Sequence, residues 1–468
     1  MPASPSSPLS RRHFLRQASC AAVGTTGFLS SLAQLKLIGA SAVDSSRPRG
    51  AATADEYKAL VCLFLGGGND GYNVVVPSDS ASHASYARLR AGVAVPREGL
   101  QGLAFKTYAD GRSYGLNPNV SDLKPIFDEG KIAFLANVGT LVKPTTLADY
   151  KAGKALPLQL YSHLDQTVQW QSALPDQNVF RTGWGGRMAD LINEMNAGAE
   201  ISMSISFGGS NYLQVGQKVI PYVVNTGGAE LLRGSGQSGL PGRKYDAAKL
   251  TFNAAIDNVL GQVFAATTRD AVSDSELLAT ALRGAPTLRT IFPTSFTAQR
   301  LKLAASLIAI GPALGFRRQV FFINVGGYDN HGDQLAAHPV LLRELSGAMA
   351  AFYRATVELG ARDRVTTFTA SDFGRTFVPN AEGTDHAWGN IQWIMGGAVR
   401  GGELYGRMPD LVVGGGEDAT GRGVWIPTIS VDQYSATLAR WFGVSESNLP
   451  SLFPNLGRFA TRDLGFMA

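Results

Sequence analysis

The sequence predicts an α/β protein built on a mainly parallel sheet covered by helices on both faces, with a partly antiparallel insertion. Short apolar runs recur at residues 61–65, 132–138, 320–325, 365–369 and 391–394. Each has the length and composition of a buried strand. Helical patterns lie between several of them, at 298–310 before the third run and at 339–359 before the fourth. Strands alternating with helices imply a parallel sheet with both faces covered. Residues 201–207 and 214–224 behave differently, alternating as half-buried strands do, and read as an antiparallel insertion.

At the N-terminus, Arg11 and Arg12 are followed by Phe14 and Leu15, a weakly apolar stretch over 18–35, and the small-x-small sequence Ala40, Ser41, Ala42. This is the form of a twin-arginine export signal cleaved after Ala42. Residues 1–42 are read as the leader and 43–56 as a linker, and the destination as the periplasm or the outside of the cell. A basic amphipathic helix is the competing reading, but Gly24, Gly27 and the serines make a poor helix face. The leader removes Arg11, Arg12, Arg16, Lys36 and no acid, which lowers the formal charge from +5 to +1. Most of the reason to expect a nucleic-acid partner goes with it. Of two cysteines only Cys62 remains, so no internal disulfide is expected. No later run of about 18 apolar residues suggests a membrane span in the mature chain.

The first strand ends in "LFLGGGNDGYNVVVP", where Gly66, Gly68 and Gly71 have the spacing of a dinucleotide fingerprint. A fingerprint needs a helix next and an acid about 20 residues on. Here Tyr72, Asn73, three valines and Pro77 follow, and no acid lies at 86–91. A nicotinamide site is therefore rejected. The glycines still mark a tight turn at a strand's end, which leaves Asp70 where open α/β sheets bind ligands. Further on, the glycine-rich segment 225–244 reads as a flexible loop and 245–281 as one or two helices. The insertion is placed at about 195–300 over a domain running from 57 to 468. A helix at 432–442 and the apolar "LFPNLGRF" close the chain.

Five histidines follow the leader. His83 and His338 have no telling company, whereas "YSHLDQ" with His163, "GGYDNHGDQ" with His331 and "TDHAWGN" with His386 set histidine beside carboxylates at expected strand ends. The strand at 320–325 delivers Asp329, His331 and Asp333, and the strand at 365–369 delivers Asp372 and then Arg375. Asp70, Asp329 and Asp372 facing one crevice would repel unless a cation neutralised them. Mixed Asp and His ligands suit zinc, manganese or iron, whereas calcium wants oxygens alone. Helix capping is the plainer role for any one Asp. Ser162 stands before "HLDQTVQWQ", a candidate short helix. There its hydroxyl is either an ordinary N-cap or, beside a metal, a nucleophile. A metal-free serine hydrolase lacks its glycine-serine-glycine elbow.

The export signal, "FLGGGNDGYNVVVP", "YSHLDQTVQWQ", "TGWGGRM", "GGYDNHGDQ", "ASDFGRT", "GTDHAWGN" and "LFPNL", in that order, resemble the exported bacterial family catalogued as domain of unknown function 1501. That family is grouped with the alkaline-phosphatase-like superfamily, so the resemblance implies a doubly wound sheet and a two-metal site. By that resemblance Asp70 and Asp372 hold one metal and Ser162 bridges both as nucleophile. Asp329, His331 and His386 resemble the ligands of the other metal. One position departs from the pattern: Phe373 stands where a histidine ligand is usual, and His163 is the candidate substitute.

The expected function is an exported metal-dependent hydrolase of phosphate, sulfate or phosphonate esters. Zinc or manganese, as one or two ions, is the expected cofactor and a small anionic ester the expected partner. Ser162 would attack and Arg375 would hold a non-bridging oxygen. The alternative is a non-catalytic binding or assembly protein on the same fold.

Overall fold

Each of the five apolar runs forms a strand. The computed structural model describes residues 56–178, 181–254 and 258–468, so the expected leader and the linker up to residue 55 lie outside the described residues. In chain order the strands are β1 (Lys58–Leu65), β2 (Val75–Pro77), β3 (Gln101–Leu103), β4 (Tyr114–Leu116), β5 (Ile132–Gly139), β6 (Ser204–Ser206), β7 (Tyr222–Val223), β8 (Arg318–Val325), β9 (Val365–Ala370), β10 (Asn390–Gly396), β11 (Glu403–Gly406) and β12 (Ile429–Ser430). The helices of ten residues or more are α1 (Ser80–Arg90), α2 (His163–Ser172), α3 (Gly239–Asn253), α4 (Val259–Arg283), α5 (Phe296–Ile310), α6 (Gln334–Glu358) and α7 (Val431–Phe442).

The main sheet runs β11-β5-β10-β9-β1-β8-β6-β7, with β12 alongside β5. β1 is parallel to both its neighbours, with Leu65 opposite Val325 of β8 and Phe64 opposite Ala370 of β9. A strand flanked on both edges and covered on both faces has no solvent side, which is why "ALVCLFL" is continuously apolar. β10 is antiparallel to β9 and β5. Its first residues therefore lie at the same edge as the last residues of β1, β8 and β9. Four chain segments thus meet at one edge of a mixed, mainly parallel sheet, as the α/β class requires.

The expected antiparallel insertion is corrected in one respect. β6 and β7 fall inside the two alternating stretches, but β6 pairs parallel with β8 and β7 parallel with β6. They extend the main sheet at its edge. Alternation reports which side chains are buried and carries nothing about strand direction. Residues 231–274 form a compact unit of their own, in which Arg269 of α4 donates to Phe252 O and Asn253 Oδ1 at the end of α3. The rest of the described chain is the other unit and holds every residue discussed below. Among the described residues no helix is long and apolar enough to cross a membrane, and Cys62 is a buried free thiol.

Asp432, in the first turn of α7, is fully buried, and neither carboxyl oxygen has a hydrogen-bond partner among the described residues. Burial, with Asp176 adding to it, pushes its carboxyl up to about 8. An unfolded Asp titrates near 4, at about 3.9. Between those values the native chain holds a proton that the unfolded chain has lost, so this group makes stability fall as pH rises from about 4 to about 8. Asp432→Asn is expected to stay neutral throughout. Urea midpoints at pH 5 and pH 8 check this: the natural chain should lose on the order of a few kcal/mol more than the variant over that interval.

Candidate metal centre

The loop after β1 turns tightly at Gly67 and Gly68, whose φ angles are +113° and +83°. A Cβ on Gly67 would lie 2.4 Å from the backbone nitrogen of Asp329. Glycine is needed there for conformation and for space. The two backbone N–H groups so presented donate to Asp372 Oδ1, at 3.0 Å from Gly67 and 2.7 Å from Gly68. The run that resembles a phosphate cradle is an anion nest whose anion is a carboxylate of the protein itself.

Beyond that nest four side chains converge. His163 comes from the start of α2, Asp329 and His331 from the loop after β8, and His386 from the segment leading into β10. One potential ligand atom from each lies within 4.8 Å of the others. Asp329 Oδ1 is 3.3 Å from His163 Nε2, 3.2 Å from His331 Nε2 and 3.4 Å from His386 Nε2. The edge of a tetrahedron with metal–ligand bonds of about 2.0–2.1 Å is about 3.3 Å. His331 Nε2 and His386 Nε2 approach more closely, to 2.8 Å.

The other nitrogen of each ring fixes the tautomer. His386 Nδ1 lies 2.7 Å from Tyr161 O, which can only accept, so Nδ1 carries the hydrogen. His331 Nδ1 faces Asp385 Oδ1 at 3.1 Å, and His163 Nδ1 faces Asp372 Oδ2 at 2.5 Å. In the neutral rings all three Nε2 atoms therefore present lone pairs to one another and to a carboxylate oxygen. His163 Nε2 is buried with no hydrogen-bond partner among the described residues. Asp329 Oδ1 already accepts from Arg375 Nη2 at 2.5 Å, but the Nε2 lone pairs of three neutral rings that face it have no such relief, and a cation among them supplies it. The arrangement, with each ligating ring held from behind by a carboxylate or a carbonyl, is the one metal-binding histidines adopt. The residues present fit one divalent ion.

The charges around the cluster are set by the same contacts. The hydrogen bond to Asp372 raises the affinity of His163 for a proton, against the desolvation that opposes it. Desolvation lowers that of His386. At Asp329 partial desolvation works upward, but Arg375, whose Nη2 lies 2.5 Å from Oδ1, brings the carboxyl below the ordinary value. At Asp385 partial desolvation also works upward, and hydrogen bonds from Arg422, Asn380 and His331 outweigh it, bringing the carboxyl down to about 2. Both carboxylates are thus ionised at neutral pH.

Not every expected ligand joins the cluster. Asp70 lies at the same sheet edge, but its Oδ2 is paired with the buried Arg90 and accepts from Gln334 Nε2 at 2.6 Å. The cation that neutralises it is a guanidinium. Asp372 gives both oxygens to Gly67, Gly68 and His163, and so orients a ligand instead of being one. His163, expected to complete an Asp70–Asp372 site, completes the Asp329 site. Among the described residues this is the single group of three or more such side chains gathered closely enough for an ion. Ser162 caps α2: its hydroxyl donates to Asp165 Oδ2 at 2.5 Å and accepts from Asp165 N at 3.4 Å. Arg375 is buried, and its donors are directed at the carbonyls of Gly67, Gly68, Tyr328 and Thr384 and at Asp329. It positions a ligand and two loops, which leaves little for an anion clamp. Phe373 packs at a tilt against His163 and His386, with ring centroids at 4.7 and 4.5 Å. It sets an aromatic wall that restricts both rings.

Asp385 and Arg422 were not anticipated. Asp385 is adjacent to His386 in "TDHAWGN", and an acid beside an expected ligand was the available signal. Arg422, which donates to Asp385 Oδ2 at 2.6 Å, lies in a loop without motif and gave none.

Residues 298–432 match the family model described as protein of unknown function (DUF1501). This is the family that the ordered motifs resemble. The matched segment carries Asp329, His331, Asp372, Arg375, Asp385 and His386, while Asp70, Ser162 and His163 precede it. No curated protein matches the chain. Among solved structures it is similar to a protein in the alkaline phosphatase superfamily from Vibrio parahaemolyticus, at 10% identity over 88% of this chain and 75% of that one, with a TM-score of 0.34. It is also similar to the PsFucS1 sulfatase from Pseudoalteromonas sp., at 11% identity over 84% and 68%, TM-score 0.32. The phosphonate monoester hydrolase SpPMH from Silicibacter pomeroyi gives 7% identity over 85% and 77%, TM-score 0.32. Likeness at these scores carries nothing about activity.

Proposed function

We propose that the chain is an exported hydrolase of anionic esters, of the phosphate, sulfate or phosphonate type, dependent on one divalent ion held by His163, Asp329, His331 and His386. The observation that carries this reading is the convergence of three imidazole lone pairs on Asp329 Oδ1. Zinc or manganese suits that donor set. When bound, such an ion supplies a Lewis acid for an ester oxygen and lowers the pKa of a coordinated hydroxyl or water.

The chain's own residues supply position and proton transfer. Asp372, Asp385 and Tyr161 O hold the three rings at a fixed tautomer, and Arg375 keeps Asp329 ionised and in place. Ser162 stands between Tyr161, whose carbonyl holds His386, and His163, a ligand. If its hydroxyl is the nucleophile, Asp165 Oδ2 at 2.5 Å is where the proton goes. A specific observation favours the second reading, a non-catalytic binding or assembly protein: Arg375 spends its donors on the protein itself.

Both readings are tested on full-length chain expressed in a host with twin-arginine export. The proposal expects protein in the periplasmic or external fraction with its N-terminus beyond Ala42. It expects about one zinc or manganese per chain by elemental analysis. It also expects hydrolysis of at least one of p-nitrophenyl sulfate, p-nitrophenyl phosphate and bis(p-nitrophenyl) phosphate, lost on chelation, regained with the metal and lost in Ser162→Ala. Metal-loaded protein inert to all three favours the non-catalytic reading, and metal-free protein excludes the cluster as a metal site.

A further inference from the structure

A crevice of about 480 Å³ opens beside the cluster, with His163, Asp329 and Asp372 at its inner end. Its size is that of a small-molecule site. The rest of its wall is chemically uniform in one respect: no Lys or Arg lines it. Its polar lining includes Thr167, Gln171, Ser210 and Asn324, and the larger, apolar part of its wall includes Phe64, Leu164, Val168 and Phe322, with Tyr212 beside them. The hydroxyls of Thr167 and Ser210 and the side-chain amide of Asn324 have no intramolecular hydrogen-bond partner among the described residues. Gln171, another lining residue, accepts at Oε1 from Tyr212 N and Leu213 N, at 2.8 and 3.1 Å, which leaves its Nε2 donors without a protein partner among the described residues.

These features select among substrates. An anionic group lying along the crevice would meet two carboxylates and no cation of the protein. A hydrocarbon would leave four hydrogen-bonding side chains stripped of water and unpaired, which costs affinity. An uncharged group rich in hydroxyls avoids both penalties. A planar amide sets a donor and an acceptor side by side, matching two neighbouring hydroxyls. Tyr212, in the lining and 43% exposed, supplies an aromatic ring of the kind on which the C–H face of a pyranose packs. The backbone is shaped around Asn324 as well: a Cβ on Gly208 would lie 2.9 Å from Asn324 Cβ, and one on Gly66 3.3 Å from its Oδ1. Glycine at 66 leaves room for that amide, and glycine at 208 lets its loop approach the backbone of Asn324.

We infer that the crevice binds a neutral glycosyl group, so that the ester presented to the cluster is one carried on a sugar. This rests on the proposed hydrolysis of an anionic ester for its second half, but the binding of the glycosyl group does not depend on turnover. The test is calorimetry and saturation-transfer NMR on the full chain with its metal. The probes are methyl glycopyranosides of the common hexoses, the matching methyl hexuronides, and cyclohexanol. At least one neutral hexoside should bind, the uronide should bind more weakly, and cyclohexanol should give no signal. Asn324→Ala and Thr167→Val should each weaken the hexoside by up to about tenfold, the loss of one hydrogen bond. Both positions are solvent-accessible, so the variants should fold. Absence of hexoside binding, a uronide that binds more tightly, or binding indifferent to both variants overturns the inference. A chain that binds hexosides and hydrolyses no ester retains the crevice and loses the hydrolase; one that hydrolyses aryl esters and ignores hexosides does the reverse.

Discussion

His386→Ala is expected to strip the chain of its metal. The variant removes one of four donors, and with it the ring whose Nε2 approaches both Asp329 and His331. Even the loss of a partner behind a ligand typically costs 10–100-fold in affinity, about the expectation for Asp385→Asn, and loss of a ligand should exceed that. After dialysis, elemental analysis should fall from about one ion per chain to near none in His386→Ala. The fold should survive, because the neighbouring Ala387 and Trp388 are anchored independently, Trp388 Nε1 donating to Thr140 O at 2.8 Å within a small apolar cluster. Thermal unfolding gives a second readout. A metal bound only by the native state raises stability by mass action, so a chelator should lower the Tm of the natural chain and leave that of His386→Ala unmoved. A chelator with no effect on the natural chain, or full metal content in the variant, would sink the assignment of the cluster.

The architecture was largely legible because burial writes itself into composition. β1, β5, β8, β9 and β10 are buried along nearly all of their length, so their sequences are rich in apolar and β-branched residues, continuously so in the central β1. The loops after β1, β8 and β9 were then placed at one edge by topology alone. Pairing was less legible. The direction of β6 and β7 depends on which neighbour accepts their backbone hydrogen bonds, and side-chain alternation is blind to that. The site divided along a similar line. The members of the candidate cluster, His163, Asp329, His331 and His386, could each be singled out by their neighbours in sequence, though His163 was expected beside Asp70 and Asp372. What each carboxylate does was decided by partners far along the chain: Gly67 and Gly68 lie some 300 residues from Asp372, and the cation beside Asp70 is an arginine within α1. Position by position, the family resemblance put Asp70 and Asp372 on a metal. The observed hydrogen bonds give both carboxylates to protein groups.

Arg90→Ala is accordingly expected to destabilise the chain more than any change at the cluster. Arg90 is fully buried at the end of α1. Its Nη2 pairs with Asp70 Oδ2, its Nη1 donates to Thr376 O and Phe377 O at 3.0 and 3.1 Å, and its Nε donates to Asn73 Oδ1 at 3.1 Å. Truncation would leave the Asp70 carboxylate buried with only Gln334 as a partner, besides two carbonyls without donors. Breaking a buried pair from one side costs about 3–5 kcal/mol. Urea unfolding at pH 7 should show a loss of that order, and Arg90→Leu combined with Asp70→Asn should recover part of it by removing the stranded charge. The decisive comparison is metal content. If Asp70 serves the guanidinium, Asp70→Asn lowers stability and leaves the ion count per chain unchanged. If Asp70→Asn instead loses an ion while Arg90→Ala keeps its stability, the carboxylate belongs to a metal after all, and the ion pair would have to give way when that metal enters.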